Sequence, residues 1–221
     1  MSKKPGAIHG ASISYDKNYE GMPGEMMLNN GMLLRGEDWN GFLKNYVESF
    51  PPNKREVILQ GLIRFRVKYD KVEKFIRFDP LAYLSGPYSS HSYISLRGTL
   101  KQKRSTVFVE VRYYGEDWIF ADNIKIVADD YTWQSPKLNF KRDNYTKVWE
   151  WALLDFSDPK IAKIVDKIIS SKEAIIRFKG KYYYDLIVTP RMKDDMKYMV
   201  AAIKAINENP APKPASGQKT K

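Results

Sequence analysis

From Ser92 to Val188 the chain repeats a two-residue rhythm that constrains its fold more than any other feature. Val107, Val109, Val111 and Tyr113 alternate with Phe108, Glu110, Arg112 and Tyr114. Successive side chains of a strand point to opposite faces, so this spacing predicts a strand with one apolar and one polar side. Ile94, Leu96 and Leu100 mark a strand before it, and Trp118 to Val127 returns after it with Ile124 and Ile126 inward and Lys125 outward. Lys101 to Ser105, Gly115-Glu116-Asp117 and Asp129-Asp130 supply the turns between them. Val148 to Phe156 predicts a further strand, with Trp149, Trp151 and Leu153 on one side. Short strands at this spacing point to an antiparallel β-sandwich or an open barrel.

Helical periods flank the strands, which makes the fold class α+β, with one N-terminal helix and two in the C-terminal part. Trp39, Phe42, Leu43, Tyr46, Val47 and Phe50 recur at the i, i+3, i+4 spacing of one helix face, and Pro51-Pro52 is expected to end that helix. From Val57 the period becomes two, and Leu62 to Tyr69 predicts a strand with Ile63, Phe65, Val67 and Tyr69 on one face and Arg64, Arg66 and Lys68 on the other. Val72 to Phe78 continues as a second strand, which Asp79-Pro80 breaks. Farther on, Asp158-Pro159 opens a helix with the stripe Ile161, Ile164, Val165, Ile168 and Ile169, because Asp caps a helix and proline suits its first position. A hairpin from Ala174 to Val188 turns at Lys179-Gly180-Lys181. Thr189-Pro190 then starts a last helix by the same capping logic. The expected organisation is a flexible arm over 1–35, a helix over 36–52, one β-rich core domain over 53–209 and a disordered tail over 210–221, where proline, alanine and lysine dominate.

Chemistry-bearing motifs are scarce. The chain has 221 residues and no cysteine, which excludes disulfides, thiol catalysis and thiolate metal sites. Its two histidines, His9 and His91, have no second ligand at metal spacing. There is no Gly-x-Ser-x-Gly elbow and no glycine-rich loop between a strand and a helix. Glu116, Asp117, Asp122, Asp129 and Asp130 fall on neighbouring turns and could gather around a hard cation, although aspartate is equally a standard turn former. No catalytic residue, metal or cofactor is expected. No apolar run is long enough to span a bilayer and no signal peptide is recognisable, so the expectation is a cytoplasmic protein without a membrane partner.

The formal charge of +11 is the main functional signal, because such a balance suits an acidic partner. It concentrates between Lys54 and Arg104, where 12 Lys and Arg face 4 Asp and Glu. Arg64, Arg66 and Lys68 would project from one strand face at intervals of ~6.6–7 Å, comparable to phosphate spacing along a nucleic-acid strand. Arg97, Lys101, Lys103 and Arg104 would extend that patch if their hairpin lies beside it. A polar solvent face of a one-sided sheet would look the same. Trp118, Phe120, Trp149 and Trp151 are expected as aromatic anchors of the core, with a ligand-stacking shelf as the alternative for the tryptophans.

Several landmarks form a string: Tyr113-Tyr114-Gly115-Glu116-Asp117-Trp118-Ile119-Phe120, Arg142, Val148-Trp149-Glu150-Trp151, Ile176-Arg177-Phe178-Lys179-Gly180 and Tyr183-Tyr184-Asp185. From about Ile94 to Ile206 this pattern resembles a family of small, largely uncharacterised bacterial and phage proteins with an antiparallel β core. The resemblance implies a fold and carries over no catalytic residues. Similar proteins often carry an export or lipoprotein signal, which is not recognisable here. The expected function is a non-enzymatic binding or interaction protein, phage-borne or an accessory factor, with a protein as partner. The alternative is a nucleic-acid-binding protein using the basic sheet face. A hydrolase with a carboxylate-held metal is the third reading.

Overall fold

The computed structural model describes residues 25–28, 32–35, 44–70, 72–73, 75–80, 84–85, 88–89, 91–101 and 104–208. In chain order these form β1 (Glu25–Leu28), β2 (Met32–Arg35), α1 (Lys44–Glu48), α2 (Pro52–Leu62), β3 (Phe65–Asp70), β4 (Phe75–Pro80), β5 (Leu84–Ser85), β6 (Tyr88–Ser89), β7 (Tyr93–Lys101) and β8 (Arg104–Gly115). There follow β9 (Asn123–Ala128), β10 (Tyr131–Gln134), β11 (Lys141–Asn144), β12 (Val148–Asp155), α3 (Pro159–Ser170), β13 (Ala174–Lys179), β14 (Tyr183–Ile187) and α4 (Pro190–Asn207). Two antiparallel sheets carry the fold, one in the order β11-β12-β8-β7-β4-β3 and one in the order β10-β9-β13-β14. Among the described residues neither closes into a barrel, and the fold is α+β with flanking helices. The pairs β1-β2 and β5-β6 are separate two-stranded ladders.

The alternation in β8 decides where the core lies. Val107, Val109, Val111 and Tyr113 are buried and register with Leu154, Ala152 and Glu150 of β12 on one side and with Ile94, Leu96 and Gly98 of β7 on the other. This inner face meets the inner face of the four-stranded sheet, where Tyr113 packs 6.4 Å from Phe178 and 5.0 Å from Tyr184 between ring centroids. Phe65, Phe78 and Phe178 are wholly buried, and each such side chain contributes about 1.5–3 kcal/mol of transfer free energy before entropy is counted. Helix α4 packs on β7 and β8, with α2 and α3 against it. Its buried stripe is Met192, Met196, Met199, Val200, Ile203 and Ile206.

The caps form as their residue types predict. The Asp158 carboxylate accepts the Lys160 N–H at 2.8 Å, and the Thr189 hydroxyl accepts the Met192 N–H at 3.3 Å. Pro51-Pro52 lies just past the end of α1, as expected, and also opens a helix that the pattern did not show. Pro52 stands in the first turn of α2, where a missing N–H costs nothing, so the pair separates two helices. The apolar run after Val57 is therefore helical: Ile58, Gly61 and Leu62 share one buried face. Gly61 is needed there, because a Cβ would meet the Ala202 Cβ and approach the Tyr198 carbonyl oxygen to 2.8 Å. The basic strand accordingly starts at Phe65, three residues later than the pattern predicts. Asp79-Pro80 does not break the next strand but completes β4, with Pro80 opposite Phe65. Trp39, Phe42 and Leu43 of the predicted first helix lie outside the described residues, as does the whole 210–221 segment.

Candidate functional site

The outer face of the six-stranded sheet carries the charge. Register places Tyr93, Ser95, Arg97 and Thr99 of β7 on the same face as Phe108, Glu110 and Arg112 of β8. Arg77 of β4 pairs with Thr99, while Arg66 and Lys68 of β3 pair with Asp79 and Arg77. The face is not a flat solvated surface, since Glu110, Ser95 and Tyr93 are buried on it, Glu110 with 1% of its area exposed. A cavity of about 180 Å3 opens among Arg66, Arg77, Arg97, Arg112, Asp79 and Glu110, with Tyr93 and Pro80 in its wall.

Hydrogen bonding within this cluster is uneven. Arg97 donates to Glu110 Oε2 at 2.7 Å and to Asp79 Oδ1 at 2.6 Å. Burial works against its charge, yet Glu110 and Asp79 outweigh that effect and hold its pKa above the usual guanidinium value. Tyr93 donates its hydroxyl to Glu110 Oε1 at 2.9 Å, and burial together with the Glu110 charge pushes its pKa far up, so it remains a donor. Arg77 Nε reaches Asp79 Oδ2 at 3.0 Å. Arg112 has no carboxylate partner among the described residues. Its Nε is buried with no acceptor, and its guanidinium lies 5.4 Å from the centroid of the Trp149 ring.

The predicted basic residues are only partly brought together here. Arg66 and Arg97 line the cavity. Arg64 does not belong to the row: it follows α2 in a turn and turns to α4, where it meets Asp195 at 3.2 Å and stacks 4.0 Å over the Tyr198 ring. Burial pushes the Asp195 carboxyl up in pKa while Arg64 pulls it down, with burial the stronger. Lys68 shares the outer face without lining the cavity. Lys101 is exposed at the far end of β7, where it pairs with Arg104 in the ladder. Lys103 and the Arg104 side chain lie outside the described residues. Sequence reasoning missed Arg77, Asp79, Tyr93, Glu110 and Arg112 as site residues. The alternation that sets Glu110 and Arg112 on one face of β8 was visible, but the arrival of β4 beside β7 was not.

The aromatic anchors also divide. Trp118 is half-buried against the core. Trp149 is buried, but Trp149, half-buried Trp151 and Leu153 occupy the outer side of β12, while Val148, Glu150, Ala152 and Leu154 take the core side. Phe120 is not a core residue; it is 47% exposed. Its φ of 53° turns the backbone so that the N–H groups of Ile119, Phe120 and Ala121 all reach the Glu150 carboxylate at 2.8 Å, and the ring is left outward. Arg142 adds a fourth donor to Glu150 at 2.9 Å and also donates to the Ala121 carbonyl at 2.6 Å.

Among the described residues no three His, Asp or Glu side chains gather at metal-holding distance, so the carboxylates of the turns do not form the cation site weighed above. No described helix is long and apolar enough to cross a membrane. Set against family models, curated proteins and solved structures, the chain matches none of them.

Proposed function

We propose that this protein is a non-enzymatic binding module that holds an anionic group of a partner protein in the cavity on the outer face of the six-stranded sheet. One observation carries this: Arg112 stands in the cavity wall with no carboxylate to neutralise it and with a buried Nε–H that donates to nothing among the described residues. A buried polar group without a partner costs about 1–3 kcal/mol; the Nε–H itself is closed to a ligand, and an anion in the cavity would be met by the terminal nitrogens of the same guanidinium. Arginine suits the task because its planar fork matches carboxylate and phosphate oxygens. The resemblance to the phage and bacterial β proteins is part of the same proposal and adds no chemistry to it.

The test is calorimetric titration with small oxyanions at constant ionic strength, on the wild type and on Arg112→Met. The expected result is saturable binding that weakens by at least about tenfold in the variant, or ~1.4 kcal/mol. Absence of binding at low salt in both proteins would end the proposal. The second reading, nucleic-acid binding, is favoured by the +11 charge and by the position of Arg66 and Lys68 on the same face. It predicts oligonucleotide affinity that falls steeply with salt and weak sequence preference, because charge contacts to a backbone do not read bases. With Arg64 diverted to Asp195, the row of three evenly spaced cations behind that reading is reduced to two.

A further inference from the structure

We propose that β14 is the contact strand of a symmetric dimer: it pairs edge to edge with β14 of a second copy of this chain, joining two four-stranded sheets into one of eight strands. The contact is independent of the anion cavity, which lies on the six-stranded sheet.

The first ground is the state of the edge. The Val188 N–H donates to the Ala174 carbonyl and the Gly180 N–H to the Tyr182 carbonyl, both at 2.9 Å. The register of β13 with β14 carries that parity along the strand. Tyr184 and Leu186 therefore turn their main-chain groups to β13, while Tyr183, Asp185 and Ile187 turn theirs outward. Among the described residues nothing pairs with those outward N–H and C=O groups. Such a row is a template for another strand, and proteins usually blunt it with charge, proline, short length or a cover. The other edges of the two large sheets are protected in this way. β11 is Lys141-Arg142-Asp143-Asn144, exposed throughout. β10 has four residues, and Pro136 follows closely. β3 has β2 against it. β14 reads Tyr-Tyr-Asp-Leu-Ile, with neither proline nor a basic residue. Its outer face leaves Tyr183 67% and Ile187 71% exposed.

The second ground is that this edge fits itself. Antiparallel pairing about a two-fold axis at Asp185 sets Tyr183 opposite Ile187 of the second copy, and Ile187 opposite its Tyr183. The outward N–H and C=O groups of both copies are then all used. An aromatic ring opposite a β-branched side chain is a favourable cross-strand pair, and here it forms at both ends. Ile175 stands beside Ile187 in the register of β13 and β14, so it extends the apolar row.

Charge supplies the third ground. Lys179 and Lys181 lie at the hairpin end of this sheet, and the exposed Asp129, Asp130 and Glu173 lie at the other end. Antiparallel pairing sets the basic end of one copy toward the acidic end of the other, which orients the encounter more than it strengthens the complex. The one opposition is on the axis, where Asp185 meets its counterpart. Arg177 holds Asp185 through two hydrogen bonds of 2.6 Å, so each copy brings a neutral pair to that point. One pair of short strands falls at the small end of specific interfaces, below ~1,200 Å2 in total, which makes the dimer weak and reversible.

The experiment is sedimentation velocity of the full chain from about 10 µM to 1 mM, on the wild type, Ile187→Thr and Ile187→Pro, with melting curves to show that each is folded. Proline at 187 removes an outward N–H and leaves the β13 ladder intact, because that ladder uses the neighbouring residues. Threonine keeps the N–H and the branched Cβ. The wild type should dimerise as concentration rises, Ile187→Thr should dimerise more weakly, and Ile187→Pro should lose at least about tenfold in affinity. Amide exchange supplies a reading that needs no variant: in the wild type the N–H groups of Tyr183, Asp185 and Ile187 should exchange more slowly in the concentrated sample than in the dilute one. A chain that stays monomeric to about 1 mM overturns the proposal and leaves the edge to an extended segment of a different protein. A dimer that folded Ile187→Pro leaves intact, or one without added protection at those three amides, overturns the assignment of β14.

Discussion

Glu150 and Glu110 sit on adjacent strands of one sheet, point to opposite faces, and are both buried, at 0% and 1% exposure. Their surroundings differ in one respect that separates a structural carboxylate from a site. Glu150 is enclosed by four donors, three backbone N–H groups and Arg142, and Arg142 in turn caps a carbonyl of the same turn. That network is closed, and its products are the shape of the 119–121 turn and the docking of β11 on β12. Glu110 also has both oxygens engaged, but it stands in a group where guanidinium exceeds carboxylate. The surplus falls on Arg112. A buried network with every member satisfied specifies a fold, whereas one with a surplus donor beside a cavity is prepared for something else.

Breaking the closed network should have the largest effect. Glu150→Ala should lower stability by about 3–5 kcal/mol in urea melts, since it strands three N–H groups and an arginine at once. A loss below ~1 kcal/mol would mean that the clasp is no more than a surface contact. Trp149→Ala should cost about 3 kcal/mol, the low end for a large core truncation, because the ring lies on the outer side of β12 beside Arg112. It should also weaken anion binding, which Glu150→Ala in its folded fraction should not. Gly180→Ala tests the other side of the 119–121 turn. A Cβ there would collide with the Phe120 carbonyl, whose backbone is fixed by the Phe120 and Ala121 N–H groups on Glu150, so a loss of about 1–3 kcal/mol is expected.

On the open side the effects on stability should be small. Arg112→Met should remain within about 1 kcal/mol of wild type, or gain slightly, because it removes a cation that no carboxylate among the described residues neutralises. A loss above ~3 kcal/mol would make Arg112 a structural element like Arg142 and erase the contrast. The smallest effect concerns acid stability. Asp129 accepts the N–H groups of Glu173 and Lys172, in that order of influence, which lowers its pKa below the usual carboxylate value. Its stabilising contribution is therefore present above the ordinary aspartate pKa and disappears as the pH falls through the lower folded value. Asp129→Asn should lower the melting temperature slightly at neutral pH and flatten the acid limb, so that variant and wild type converge below about pH 4.

Much of the fold was legible wherever local chemistry decides it. Asp158-Pro159 and Thr189-Pro190 mark the starts of α3 and α4 because capping acts within three residues. Val107 to Tyr113 and the hairpin around Gly180 were legible because alternation and turn formation are equally local. The helix α2 was hidden because a proline pair stops one helix and starts another with the same residues. Strand order was hidden for a different reason: β12 beside β8 and β4 beside β7 are long-range choices made by burial. The site depends on that order. Arg66 and Arg97 were visible as cations, but their meeting with Arg77, Asp79, Glu110 and Arg112 requires β4 to lie beside β7, a pairing that no local pattern encodes. Glu150 was passed over beside its neighbours, since two tryptophans outweigh a carboxylate in any hydrophobic pattern. Only the N–H groups of the 119–121 turn explain why the charge and not the rings faces inward.

The contrast between the two networks reduces to two arginines, and both can be observed in one spectrum. In proton–nitrogen correlation spectra of the arginine Nε–H groups, phosphate is titrated into the full chain at constant ionic strength. The expected result is a saturable shift of the Arg112 Nε–H, with the Arg142 Nε–H unmoved because Glu150 already holds it at 2.9 Å. An Arg112 signal that stays still, or one that only drifts in step with Arg142, would contradict an anion site on the outer face of the sheet.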